Sequence, residues 1–150
     1  MEIPVRVGIS PTLKTRGLIA DRDIQKGEII EECQILLLDP HDWHLADKTA
    51  LTNYLFSWGD KYSSMIFGYA MLYNHSYTPN VVYIRNFEER VMVFKALRRI
   101  KKGEELFINY NGKPEDQRTV KWLRLDPQEP KRYLTGSGKK TIKRKHALSR

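Results

Sequence analysis

The chain has 150 residues, 41% of them hydrophobic and 11% aromatic, with a formal net charge of +8. That length suits one domain with a real core rather than two, and the composition excludes a disordered chain. A single cysteine, Cys33, excludes an internal disulfide framework and a Cys-rich zinc site.

The charge is unevenly placed. Residues 1–130 carry 18 Lys+Arg against 18 Asp+Glu, so the whole excess lies in residues 131–150. There Lys139-Lys140-Thr141-Ile142-Lys143-Arg144-Lys145 follows Gly136-Ser137-Gly138, the pattern of a flexible basic arm. Such an arm either attracts nucleic acid, acidic proteins or anionic membrane by salt-sensitive electrostatics or is a solvated tail that aids solubility. No apolar run approaches 18 residues, and the first 30 lack a basic-then-apolar signal pattern. A soluble, cytoplasmic protein without membrane contact is therefore expected.

In chain order, Lys14-Thr15-Arg16-Gly17-Leu18 is a turn of small and basic residues. Residues 20–28 (ADRDIQKGE) recur as residues 96–104 (ALRRIKKGE), identical at six of nine positions. One repeated pair is no solenoid. It predicts a strand, a turn at Lys-Gly-Glu and a second strand, used twice, with Gly27 and Gly103 making the turns. Ile29-Ile30 opens the first following strand, Cys33 is expected as a small buried hydrophobe, and residues 35–38 form a short core strand that ends at Asp39-Pro40. Residues 42–58 mix a helical turn around Leu45 to Leu51 with an aromatic stretch, Tyr54-Leu55-Phe56-Ser57-Trp58. His41 and His44 lack the further His or Cys that a metal centre needs, so no metal is expected. Residues 81–84 and 90–94 predict a hairpin across Asn86-Phe87-Glu88-Glu89. Pro114-Glu115-Asp116-Gln117 suits a helix start, with Val120, Trp122, Leu123 and Leu125 on its buried side and Pro127 as the stop. Short strands with little helix predict a β-rich fold.

Two segments carry chemistry: Asn74-His75-Ser76-Tyr77-Thr78-Pro79-Asn80, and Gly103-Glu104-Glu105-Leu106-Phe107-Ile108-Asn109-Tyr110. Singly, they offer ordinary turn polars and a strand-end tyrosine. Together, and after the Lys14-to-Leu18 turn, they resemble the signature of the SET-domain protein-lysine methyltransferases, most closely the small bacterial type. The resemblance covers about residues 5–112.

The resemblance implies a mainly β, β-clip-like SET fold of short strands, with a threaded pseudoknot and a C-terminal helix. It divides the chain into a SET domain (1–112), a closing helix (113–130) and the basic tail (131–150). It implies methyl transfer from S-adenosylmethionine to a lysine ε-amine of a protein; the neutral body with a basic tail, by its charge alone, points to an acidic or nucleic-acid-bound substrate such as a chromatin-like or ribosomal protein. Tyr110 is then the catalytic residue. Lys14, Thr15, Arg16, Gly17, Asn74, His75, Tyr110 and Trp122 bind the cofactor, while Tyr77 and Ile108 line the substrate-lysine channel. Ile108 is smaller than the Phe or Tyr common there and leaves room for more than one methyl group. Residues 41–67 select the substrate, and a dimer that completes the substrate groove is compatible with so small a domain.

This chain departs from the family pattern at Met71, Tyr77 and Asn109, where Arg, Cys and Asp are common. It also lacks the zinc-binding cysteines that follow many SET domains. Two other readings stand beside the enzyme: a non-catalytic SET-like interaction module, and a nucleic-acid-binding protein that acts through its tail. The tail would also suit a nuclear or nucleoid address, in the protein's own cell or a host's.

Overall fold

The structure, a computed structural model, describes residues 2–120. Their strands form two sheets, so the expected mainly β class holds. One sheet runs in the order β1 (Val5–Ile9), β2 (Arg16–Ala20), β9 (Glu105–Ile108), β6 (Asn74–His75). The other runs β4 (Leu55–Trp58), β5 (Tyr62–Ile66), β3 (Ile29–Leu38), β8 (Val91–Ala96), β7 (Val81–Asn86). Every pairing is antiparallel except that of β6 with β9, where Asn74 faces Phe107 and His75 faces Ile108. That parallel contact joins the two chemistry-bearing segments.

Local sequence explains most elements. The β7–β8 hairpin closes over residues 87–90, where Asn86 Oδ1 accepts the Glu89 N–H at 3.1 Å and Nδ2 donates to Glu89 Oε2 at 2.9 Å. The segments expected as separate strands at 29–30 and 35–38 are the two ends of β3, which bulges between Ile29 and Glu31. Leu36, expected in the core, is 49% exposed, because it shares the face of Glu32 and Gln34 in a period-two strand. Helix α1 (Pro40–Ala46) starts earlier than expected. Asp39 Oδ1 accepts the Asp42 N–H and Pro40 occupies the first turn, so the pair that ends β3 also caps the helix. A 3₁₀ turn at Ala50–Tyr54 then leads into β4, whose hairpin with β5 turns at Gly59 with φ 65°. Sequence analysis missed that hairpin.

The repeated nine-residue segments pack against each other with local two-fold symmetry. Ile24 and Ile100 exchange backbone hydrogen bonds at 2.8 and 2.9 Å. The Gly27 N–H donates to Ala96 O, and the Gly103 N–H to Ala20 O, both at 2.8 Å. Arg22 pairs with Glu28 as Arg98 pairs with Glu104. The two glycines sit at φ 83° and 87°, a region that costs other residues energy. Both isoleucines are fully buried, joining Leu18, Phe94, Leu106 and Ile108 in the core. Each such side chain contributes about 1.5–3 kcal/mol of burial.

Two acids are buried among the described residues, Glu31 and Glu105. Glu31 is 3% exposed, accepts the Tyr69 N–H at 3.2 Å, and has Cys33 and Tyr73 as neighbours. Gly68, at φ 116°, leaves room for it: a Cβ there would lie 3.0 Å from Glu31 Oε2 and 3.1 Å from Cys33 Sγ. Burial pushes the Glu31 carboxyl above the usual carboxylate range, outweighing its hydrogen bonds. A folded-state pKa above the unfolded one favours the fold at low pH, and that advantage is lost as pH rises through the folded value. Glu31→Gln should therefore flatten this part of the stability–pH curve and raise Tm over wild type at the alkaline end. Thermal unfolding between about pH 4 and pH 9 checks it.

Candidate active site

Tyr110 lies just past the end of β9, where two neighbours fix it. Its N–H donates to His75 Nδ1 at 3.1 Å, and its hydroxyl donates to the Tyr73 carbonyl at 2.7 Å. The Tyr110 and His75 rings are 5.2 Å apart, and Tyr77 packs edge-on against His75 at 4.4 Å. Burial, with a smaller contribution from the Tyr54 hydroxyl, pushes Tyr110 up to about 12, so the phenol stays neutral at ordinary pH. Burial also lowers the His75 pKa. Because Nδ1 accepts a hydrogen bond, the neutral ring carries its proton on Nε2, which is buried without a partner among the described residues.

A cavity of about 250 Å³ adjoins Tyr110. Its aromatic wall is Trp43, Tyr54, Phe56, Tyr73, Tyr83 and Tyr110, and Asp47 and Asn53 add polar groups. This volume is below the range of about 300–1,000 Å³ usual for drug-sized ligands and suits one long side chain. Tyr77 and Ile108, expected as channel residues, do not line it. Ile108 is fully buried where β9 pairs with β6, and Tyr77 stands 37% exposed above His75. Side chains of the 3₁₀ turn, β4 and β7 form the wall instead. The signal was the aromatic run at residues 54–58, which a reading along one strand cannot aim.

The residues expected at the cofactor turn meet β6 and β9 at Asn74 and Glu105. Lys14 sits at φ 58°, and the loop closes through Ser10 N–H to Thr15 O at 2.8 Å. Asn74 Nδ2 donates to Arg16 O at 3.0 Å and to Glu105 Oε1 at 2.8 Å, while Ser10 Oγ donates to Glu105 Oε2 at 2.6 Å. Gly17 is pressed against this network: a Cβ there would lie 2.5 Å from Glu105 Oε1 and 2.7 Å from Asn74 Nδ2. Thus Arg16, Gly17 and Asn74 are brought together, and His75 follows Asn74 in β6. Lys14 and Thr15 form the loop that leads in. Glu105 and Ser10 were not singled out beforehand; an acid inside the apolar run 105–108 was the available signal. Among the described residues, the one His/acid group with the spacing for an ion is Asp39, His41 and Asp42. It is exposed, and Asp39 already caps α1.

The helix expected from Pro114 is absent in its described part. Residues 113–120 form a turn and an extended strap. Asn109 Nδ2 donates to the carbonyls of Pro114 (3.4 Å) and Asp116 (2.6 Å), and Asn111 Nδ2 to that of Arg118 (2.6 Å). Side-chain amides thus take carbonyls that a helix would use. The strap lies against Tyr77, whose carbonyl accepts from Gln117 Nε2 at 3.0 Å and whose hydroxyl accepts the Val120 N–H at 3.3 Å. Trp122, the remaining expected helix and the basic tail lie outside the described residues. The departure at Asn109 now has a physical reason, since an aspartate could not donate these bonds. Asn109→Asp should cost about 1–3 kcal/mol and free the strap, read as a lower Tm and faster amide exchange over residues 113–120.

A family model described as "SET domain" matches residues 15–111. A Schizosaccharomyces pombe protein, histone-lysine N-methyltransferase, H3 lysine-37 specific, is 28% identical over 98 residues, which is 65% of this chain and 67% of that protein. A Plasmodium falciparum protein, a candidate histone methyltransferase, is 29% identical with a TM-score of 0.59, over 73% of this chain and 95% of that one. The structure of ctPRC2 in an autoinhibited conformation, bound to S-adenosylmethionine, is 25% identical with a TM-score of 0.63. That match covers 73% of this chain but 15% of the other.

Proposed function

Since the chain belongs to the SET-domain family of methyltransferases, we propose that it is a protein-lysine N-methyltransferase that takes its methyl group from S-adenosylmethionine. The observation that carries this reading is the position of Tyr110. Its hydroxyl is tethered to the Tyr73 carbonyl in the wall of an aromatic cavity, and its backbone is tethered to His75, next to the network of Asn74, Glu105 and Gly17.

The residues present fit such a cofactor. Both protons of Asn74 Nδ2 are spent on Arg16 O and Glu105, which leaves Oδ1 as an acceptor for a ligand donor. His75 offers a buried Nε2 that has no partner among the described residues. Arg16, Gly17, Asn74 and His75 would hold the cofactor. Bound there, it supplies an electrophilic methyl group on a sulfonium. The chain does the rest by positioning and by excluding water.

The cavity takes the target lysine, and its aromatic faces attract a cationic nitrogen. Removal from water favours the neutral amine, which alone has a lone pair to attack with. Tyr110 is neutral and already donates its proton to Tyr73, so it orients through its oxygen lone pairs and does not serve as the base.

The similarity to histone methyltransferases and the basic tail both favour a substrate bound to nucleic acid, a histone-like or ribosomal protein. The test is transfer of labelled methyl from S-adenosylmethionine to core histones, ribosomal proteins and a cell lysate. Label recovered on lysine is the expected outcome. Absence of both cofactor binding and incorporation would reject the reading in favour of a non-catalytic module.

A further inference from the structure

We propose that the fixed charge of Arg85, one side chain removed from the aromatic cavity, drives the proton off the target lysine and so sets the pH range of methyl transfer. This inference rests on the function proposed above and goes beyond it to a residue outside both chemistry-bearing segments. β4 and β7 are the two edges of the five-stranded sheet, and Arg85 joins them. Its Nε donates to Ser57 O at 2.7 Å and its Nη2 to Ser57 Oγ at 2.9 Å, while its Cζ lies 5.2 Å from the centre of the Tyr83 ring. Ser57 and Tyr83 both line the cavity. The planar fork therefore fixes the charge, and its partners are a carbonyl, a hydroxyl and a ring, none of them an anion. Arg85 is only partly exposed, and no salt bridge among the described residues involves it. A neutral amide could join the two strand edges; the guanidinium adds a positive charge that its own contacts do not cancel.

That charge acts on the step that the cavity itself partly opposes. Aromatic faces attract an ammonium and so resist loss of its proton, whereas desolvation and a neighbouring cation favour the loss. A second cationic group nearby is one way in which a lysine becomes nucleophilic at neutral pH. The other groups around the cavity decide the sign. Asp47, its acid, is exposed, accepts from Thr52 Oγ1 at 2.6 Å and is screened by water. The remaining ionisable lining groups are the phenols of Tyr54, Tyr73, Tyr83 and Tyr110, and burial pushes the last three upward. At Tyr83, Arg85 works against that burial, as a cation beside the ring must. Glu31, which neighbours Tyr73, is pushed by burial towards its neutral form. The acids of the two hairpin turns that adjoin Arg85, Asp60, Glu88 and Glu89, are exposed, and none pairs with it. The least screened fixed charge beside the cavity is therefore positive.

The test is the pH profile of single-turnover methyl transfer under saturating S-adenosylmethionine, from about pH 6 to pH 10, on the best-labelled protein of the histone and ribosomal panel. Wild type is compared with Arg85→Gln, which keeps an amide donor for Ser57 but no charge, and with Arg85→Lys, which keeps the charge but not the fork. Circular dichroism checks folding. Arg85→Gln should move the midpoint of the rising limb upward by about 0.5–1 in pH and cut the rate about three- to tenfold below it. Its high-pH plateau should stay within about twofold of wild type, and Arg85→Lys should keep the wild-type midpoint. An unmoved midpoint in folded Arg85→Gln, whether or not the plateau falls, would make Arg85 a strand clasp alone and overturn the proposal.

Should Arg85→Gln not fold, Arg85→Lys decides. There the Ser57 fork is lost and the charge remains, so a midpoint raised by about 0.5 or more in pH would tie the profile to the clasp and overturn the inference. Wild type that transfers label to no member of the panel would reject the proposed function itself, and this inference with it.

Discussion

Tyr110→Phe is expected to lower kcat by about 10²–10³-fold, the scale for losing one preorganised polar group at reacting atoms, with little change in cofactor affinity. The reason is local. The hydroxyl is fixed by donation to Tyr73 O at 2.7 Å, and burial holds the phenol neutral up to about 12. Phenylalanine keeps the ring against His75 and the cavity wall, so shape survives while the oriented oxygen is lost. The Tyr73 carbonyl loses its donor as well, at about 1 kcal/mol of stability. Single-turnover methyl transfer and cofactor titration, run side by side, separate these effects. Because Tyr110 stays protonated, a rise in rate with pH would report the substrate amine and not the tyrosine. A variant retaining wild-type kcat would remove Tyr110 from the mechanism.

Gly17→Ala is expected to destabilise the protein by about 1–3 kcal/mol and to abolish cofactor binding at ordinary concentrations. The added Cβ would lie 2.5 Å from Glu105 Oε1 and 2.7 Å from Asn74 Nδ2. Neither atom can retreat cheaply, since the two are bonded to each other and anchored by Ser10 and Arg16. Gly103→Ala makes a useful contrast. Nothing lies within 4 Å of a Cβ at Gly103, so the cost there is the left-handed φ alone, about 1 kcal/mol. Thermal unfolding and calorimetry on the two variants distinguish a blocked site from a strained turn. A Gly17→Ala protein with wild-type affinity would show that the Glu105–Asn74 network does not shape the cofactor site.

The sequence carried the local part of this protein. Alternating β-branched and aromatic residues specified the β7–β8 hairpin, and the repeated Lys-Gly-Glu segments specified two matching turns. The Asn-His-Ser and Asn-Tyr segments named the residues that meet across the parallel β6–β9 pair. These features follow from backbone conformation and side-chain period, which neighbouring residues decide.

Tertiary structure decided which polar groups lose water and which partners they then find. It buried Glu105 between Ser10 and Asn74, although these lie 95 and 31 residues away in the chain. It used Asn109 and Asn111 to draw residues 113–120 into a strap, against a local pattern of Pro and acids that favours a helix. It built the cavity from Tyr54, Phe56 and Tyr83, leaving Ile108 wholly inside the core. The physical reason is the same in each case. A buried donor or acceptor must be matched wherever the fold places a partner, and that requirement outweighs the few tenths of a kcal/mol by which local propensity ranks one conformation over another.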